Sequence, residues 1–221
     1  MKKIIIAVLL LSCLFGAFAD GKIVMLRDQG PLRIADDKNG VTWSITVPEG
    51  TVLDLVETEP VLKDLVMTSG TTPDVLFYHV TYNKKDYYAA ATEVVVADAP
   101  NVLLDDAVLY TKPCIADFRN ATLDFGTLTV AGKKAADNGI QFVEIFFYDS
   151  GSVKSRYVLS SKVSNNAKDF KALQMLAKAT AEKDRELQLE LMGNALSLGA
   201  SPAIQSYLEE QAEILFSGIA E

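Results

Sequence analysis

The chain is poor in the residues from which catalytic and metal centres are usually built. Among 221 residues it has one histidine, His79, and two cysteines, Cys13 and Cys114. A cysteine nucleophile needs an imidazole nearby to draw off its proton. His79 is the only candidate, and it falls in a predicted strand of a different β module from Cys114, so the two read as unrelated residues. No Gly-rich phosphate loop occurs. Asp149-Ser150-Gly151-Ser152 lacks the Gly-x-Ser-x-Gly pattern of a nucleophile elbow and reads as a hairpin turn. The acidic pairs Asp36-Asp37, Asp105-Asp106 and Glu209-Glu210 lack the alternating oxygen-ligand spacing of a calcium loop and read as solvated charge. The expectation is no catalytic residue, no metal site, no cofactor and no enzymatic activity.

Basic residues are also in deficit, 21 against 29 acidic ones, for a formal charge of −8. An acidic surface repels phosphate backbones and anionic headgroups, which argues against nucleic acid and passive membrane adsorption. Beyond the first nineteen residues no apolar run is long enough to cross a bilayer. The chain as a whole is 49% apolar and 23% charged, close to the average of folded globular chains.

The first residues have the three parts of an export signal. Lys2 and Lys3 form a positive start, Ile4 to Phe15 an apolar run too short to span comfortably, and Ala17-Phe18-Ala19 a small-residue cleavage site before Asp20. A signal peptide over 1–19 is expected, and with it a periplasmic or cell-envelope location. Leu10-Leu11-Ser12-Cys13 resembles a lipobox, which gives lipid attachment at Cys13 as the alternative. If cleavage follows Ala19, the mature chain carries 19 basic against 29 acidic residues, and Cys114 is its only cysteine. No intramolecular disulfide is then possible. Flanked by Pro113 and Ile115, Cys114 is expected to be buried.

Residues 22 to about 164 read as β structure punctuated by turns. Val41 to Val47 alternates apolar and polar, the period of a half-buried strand, and Asn39-Gly40 before it suits a tight hairpin. Pro48-Glu49-Gly50 breaks the chain before Thr51-Val52-Leu53-Asp54. Residues 57 to 74, with Pro60, Ser69-Gly70 and Pro73, read as a long irregular insertion holding a short strand at Leu65-Val66-Met67. The pattern then recurs. Glu49-Gly50-Thr51-Val52 is matched by Phe125-Gly126-Thr127-Leu128. Leu76 to Tyr82 is matched by Gln141 to Tyr148, and each is followed by a polar turn and a tyrosine-bearing strand, Tyr87-Tyr88-Ala89 or Tyr157-Val158-Leu159. The reading is two copies of one small β module, over 20–98 and 101–164, joined by a polar stretch around Pro100 that suits a linker.

From Asn165 the period changes. Asn166 can cap a helix with Asp169 three residues on, and Phe170, Leu173, Ala177 and Thr180 follow at helical spacing. Leu187, Leu191, Ala195 and Leu198 make a second helix closed by Gly199, and Ser201-Pro202 opens a third along Ile204, Leu208, Gln211 and Leu215. The segment 165–221 is thus expected to be helical. Its apolar face either completes the second β module or docks another envelope protein or a second copy of this chain.

A β module of this length and strand order resembles the bacterial SH3-type (SH3b) domain. The resemblance rests on Val108-Leu109-Tyr110-Thr111-Lys112-Pro113, the Gly-Thr-apolar step and a final hairpin ending in an aromatic residue. Where the family usually has Gly-Trp-Val, this chain has Tyr88-Ala89 and Tyr157-Val158. The resemblance implies a mainly β chain of two small SH3-like barrels followed by about three helices. It implies a non-catalytic envelope binding or scaffold protein that takes a peptidoglycan peptide or a protein partner. A regulatory or targeting subunit of a separate wall hydrolase is the alternative. By that resemblance the ligand would lie on aromatic rings. Candidates are Trp43, Tyr82, Tyr87 and Tyr88 in the first module and Tyr110, Phe118, Tyr148 and Tyr157 in the second. Tyr87 and Tyr148 stand out because they flank predicted hairpin turns, although half or more of these rings are expected to fill the core. The three helices faintly resemble a tetratricopeptide pair, which cannot bury its own apolar face.

Overall fold

The structure, a computed structural model, describes residues 21–36 and 40–217. The expected signal peptide, its lipid-attachment alternative at Cys13 and the turn residue Asn39 lie outside the described residues. The chain is mainly β, with three helices at its C-terminal end. The described residues divide into two compact units, one of those up to Ala99 with Ser150–Val153, the other of Pro100–Asp149 with those from Lys154 to Ser217.

The first unit is an eight-stranded sheet of β1 (Lys22–Met25), β2 (Gly30–Ala35), β3 (Gly40–Val47), β4 (Val52–Leu55), β5 (Val61–Met67), β6 (Gly70–Tyr82), β7 (Lys85–Ala90) and β8 (Val94–Val96). The spatial order is β5-β3-β2-β7-β6-β4-β1-β8, and β5 pairs a second time with β6. Alternation along the strands sends side chains to opposite faces. Tyr78, Val80, Tyr87 and Ala89 join Ile23, Met25, Leu32, Val47 and Leu53 in the main core. Phe77 turns the other way and packs with Val41 and Ala90, flanked by Leu65, Val75 and Tyr88.

The irregular insertion expected over 57–74 is instead a β-hairpin. Its first strand pairs antiparallel with β6, from Val61↔Phe77 to Met67↔Gly70, and runs parallel to β3 through Val41↔Leu65. The breakers misled because each has a place in a ladder. Pro73 and Asp74 fall where the register shifts, and Asp74 takes φ 56° there while its N–H donates to Asp64 Oδ1 at 3.3 Å. A proline, which cannot donate, is tolerated at such a bulge.

The second unit carries a six-stranded sheet of β9 (Asn101–Val102), β10 (Ala107–Tyr110), β11 (Phe118–Leu123), β12 (Leu128–Asp137), β13 (Ile140–Asp149) and β14 (Ser152–Leu159). Its order is β11-β10-β14-β13-β12-β9. Leu103, Ala107, Leu109, Val143, Ile145, Phe147, Val158 and Val163 form its core. The stretch around Pro100 is not a bare polar linker at its far end, because Val102 and Leu103 are fully buried. Cys114 is half-buried, just before a 3-10 turn over Ile115–Asp117, so the burial expected for it is only partial. Neither sheet is a clear barrel.

The two units repeat one topology. Setting β5 and β8 aside, β3-β2-β7-β6-β4-β1 in the first corresponds to β11-β10-β14-β13-β12-β9 in the second. The Gly-Thr step is the sharpest local match. Gly50 and Gly126 take φ 74° and 77°, the left-handed region that a glycine enters without strain. Gly50 N–H donates to Met25 O at 2.7 Å and Gly126 N–H to Leu103 O at 2.9 Å. The following threonines return the bond, accepting from Met25 N–H at 2.9 Å and Leu103 N–H at 3.1 Å, and their hydroxyls close the turn onto Pro48 O and Asp124 O, both at 2.7 Å.

The helices are α1 (Ala167–Ala181), α2 (Arg185–Ser197) and α3 (Pro202–Ser217). Gly199 has φ 72°, the C′ conformation that ends α2, and Pro202 opens α3. Ala172, Leu176, Ala179, Met192, Ala195, Ile204, Leu208 and Ala212 bury together with Val102 of the sheet, and Phe125 and Leu104 pack against them. The apolar face therefore lies in the core of its own unit. Asp169 does not complete a capping box. It is fully buried, accepting from Ser164 Oγ at 2.5 Å and Ser201 N–H at 2.7 Å, while Asn166 caps α1 through Lys168 N–H at 3.0 Å. The buried stripe of α1 accordingly runs through 172, 176 and 179, one residue off the stripe read from spacing.

Candidate binding surface: an aromatic row present in both units

In each sheet one cross-strand row carries an exposed aromatic residue. Trp43 on β3 pairs with Arg33 on β2, Arg33 with Tyr88 on β7, and Tyr88 with His79 on β6. Residues paired directly across strands have Cβ atoms about 4.5–5.5 Å apart and share a face. In the second unit Phe118 on β11 pairs with Tyr110 on β10, and Tyr110 with Tyr157 on β14. Trp43 is 62% exposed and Phe118 63%, the two highest values among the described large apolar side chains. Both sit at a register shift, between Leu32 and Arg33 in one ladder and between Val108 and Tyr110 in the other. Extra residues on β3 and β11 bend the strand there, which is how a bulge re-aims a side chain that alternation would otherwise place.

Correspondence extends to the last position of the row. Asp54 and Val130 stand at the same remove from Gly50 and Gly126, and they pair with Thr81 and Phe146. His79 and Glu144, next along the same face, are therefore equivalent. In the first unit His79 stacks on Tyr88 with ring centroids 5.0 Å apart and planes 13° from parallel, and its Nδ1 lies 3.8 Å from Glu57 Oε1. Lys63 Nζ stands 5.0 Å from the Tyr88 ring centroid. Desolvation, then the negative charge of Glu57 and Asp86, pushes the Tyr88 phenol above its ordinary pKa. In the second unit Glu144 is 9% exposed and Ser155 Oγ donates to its Oε1. The Tyr157 phenol is likewise raised, by desolvation and then by Glu144.

Arg33 is the rigid member of the first row. Its guanidinium is buried, with Nη1 3.0 Å from Glu93 Oε2 and Nη2 3.3 Å from Oε1, a fork-to-carboxylate pair. Nη1 also donates to Pro31 O at 3.0 Å, and the group lies 5.3 Å from the Phe77 ring centroid. Arg27 adds a second cation, 2.5 Å from Glu93 Oε1.

The rings named from sequence part into two sets. Trp43 and Phe118 are exposed, and Tyr88, Tyr148 and Tyr157 are half-buried on their strands. Tyr87 is 7% exposed inside the main core, and Tyr110 is 7% exposed with its ring edge-on to Phe142 at 5.3 Å. Neither of these two presents a ring face to a ligand. Tyr82 packs against the main core from its margin. Tyr87 stands beside a turn, but alternation decides which of two adjacent tyrosines points inward, and Tyr88 is the outer one. Sequence reading missed Arg33, Lys63 and Glu144 as neighbours of the rings, because only strand pairing brings them there. Cys114 and His79 lie in different units.

Among the described residues no cluster of histidine, cysteine, aspartate or glutamate could hold a metal ion, and no helix is long and apolar enough to cross a membrane. No protein-family model matches the chain, and neither does any curated protein.

Proposed function

We propose that this chain is an exported, non-catalytic cell-envelope protein whose two β repeats are variants of an SH3-like module, binding a peptidoglycan peptide or an envelope protein. The observation that carries the reading is the recurrence of one exposed aromatic ring at the same ladder position in both repeats, Trp43 and Phe118. A water-exposed tryptophan in mid-strand contributes little to its own fold, whereas such rings offer large contact area to a ligand at small entropic cost. The closed run of pairings through β5, β3, β2, β7 and β6 supports the SH3-like comparison for the first repeat. The leader-like start of the sequence supports the location.

The test is co-sedimentation of the purified protein with intact peptidoglycan sacculi, against heat-denatured protein. Saturable binding is expected, weakened about tenfold or more by Trp43→Ala or Phe118→Ala, since a central aromatic contact contributes on the order of 2 kcal/mol or more. Both variants should keep the circular dichroism of the parent, because exposed side chains cost within about 0.5 kcal/mol on removal. Absence of binding, or binding indifferent to both substitutions, would remove this surface from the account.

A further inference from the structure

The two rows differ in charge at corresponding positions. In the first repeat a cation already sits on the row, Lys63 Nζ over Tyr88, and the polar end is His79. In the second repeat Glu144 replaces His79. Although β5 has no strand of its own in the second repeat, Val61 faces Phe77 as Ala135 at the far end of β12 faces Phe142, so Asp137 stands beside β13 where Lys63 stands beside β6. Both positions able to carry positive charge in one repeat thus hold carboxylates in the other. Among the described residues no cation lies within salt-bridge distance of Glu144. Arg156, adjacent on β14, turns its Nη1 to Ser155 O at 2.7 Å. Ser155 occupies one carboxylate oxygen, and the other takes no donor from the described residues. Although the residue as a whole is 9% exposed, this second oxygen keeps contact with solvent, beside a half-buried phenol ring and in the row that begins with exposed Phe118, so an incoming cation can reach it.

We infer that the second repeat's row of Phe118, Tyr157 and Glu144 is a site for a lysine or arginine side chain of a bound peptide. The first repeat shows the same contact made internally, with Lys63 as the resident ammonium and Tyr88 as its platform. The incoming cation would take the Tyr157 ring by cation–π attraction and the Glu144 carboxylate by a charge-assisted bond, while Phe118 covers the aliphatic stem. The inference rests on reading the row as a binding surface and adds the chemistry of its occupant.

The experiment is titration of the purified protein with acetyl-Ala-Lys-Ala-amide and with the norleucine peptide that lacks the charge, following aromatic-ring NMR shifts. The lysine peptide is expected to bind about tenfold more tightly, the loss associated with a hydrogen bond to a charged partner. Glu144→Gln, which keeps an acceptor for Ser155, should erase that preference, and Tyr157→Leu should weaken the lysine peptide more than the norleucine one. If Glu144→Gln does not fold, the Tyr157→Leu comparison and the loss of preference in high salt decide instead. Equal affinity for the two peptides, or a preference that survives these changes, overturns the inference. Sacculus binding that depends on Phe118 without any lysine preference would leave the surface standing with a different occupant. Loss of both would end both readings.

Discussion

Glu93→Gln is the substitution whose cost the structure determines most closely. Glu93 is 4% exposed and Arg33 7%, and the two carboxylate oxygens receive both arms of the Arg33 fork and one of Arg27. The amide keeps the shape but removes the charge and replaces one acceptor by a donor facing two guanidinium groups. Arg33 cannot deprotonate and cannot reach water without leaving the Phe77 ring. Breaking a buried pair from one side costs about 3–5 kcal/mol, because the remaining charge stays uncompensated. Arg27→Ala is the internal control. That side chain is 41% exposed, so its loss should cost about 0–1 kcal/mol. Trp43, the only tryptophan, lies in the same unit and next to Arg33 in its row, so its fluorescence during urea unfolding reports on this sheet. A midpoint shift for Glu93→Gln no larger than that for Arg27→Ala would refute the argument, since it would mean that water already screens the pair. The double replacement Arg33→Met, Glu93→Leu should recover most of the loss, because removing both charges leaves nothing unpaired.

Two further effects concern backbone and pH. Gly50→Ala and Gly126→Ala should each destabilise by about 1 kcal/mol, the left-handed penalty of about 1–2 kcal/mol less the entropy removed from the unfolded chain. Gly193→Ala, exposed within α2 with open space at its Cβ, should instead stabilise by about 0.5–1 kcal/mol, and urea midpoints of the three variants give the comparison. At alkaline pH the Tyr78 phenol, raised by burial and then by Glu59, favours its neutral form in the fold. The stability it contributes is complete below the unfolded phenol pKa of about 10 and is lost as pH rises above that value. Tyr78→Phe should therefore flatten the fall in urea midpoint between about pH 9 and 12, and parallel curves for the two proteins would contradict it.

Much of the local structure was legible along the chain because it rests on short-range chemistry. The Gly-Thr steps marked equivalent turns since only a residue free to take positive φ lets the following threonine hydroxyl close the turn. The helix breaks at Gly199 and Pro202 followed from the same kind of constraint. Periodicity placed three helices but put the buried stripe of α1 one residue off, because Asp169, a charged residue no hydrophobicity pattern selects, is drawn inside by Ser164 and Ser201. Likewise Pro73 and Ser69-Gly70 carry the local signature of a loop, and pairing with β5 makes them a bulge and a hairpin turn.

By itself the sequence determined the class of the chain, mainly β with a helical end, the doubling of its β unit, and the scarcity of histidine and cysteine. These depend on composition, period and turn chemistry, which act over a few residues. Which rings face solvent, and what charges stand beside them, was decided only by the tertiary structure. Tyr87 and Tyr88 are neighbours of one type, and the choice between core and surface came from the register of β7 against β6. Lys63 reaches Tyr88, and Glu144 takes the place of His79, through strand pairings between residues distant in sequence. A one-residue slip in those pairings would exchange every inward side chain for an outward one.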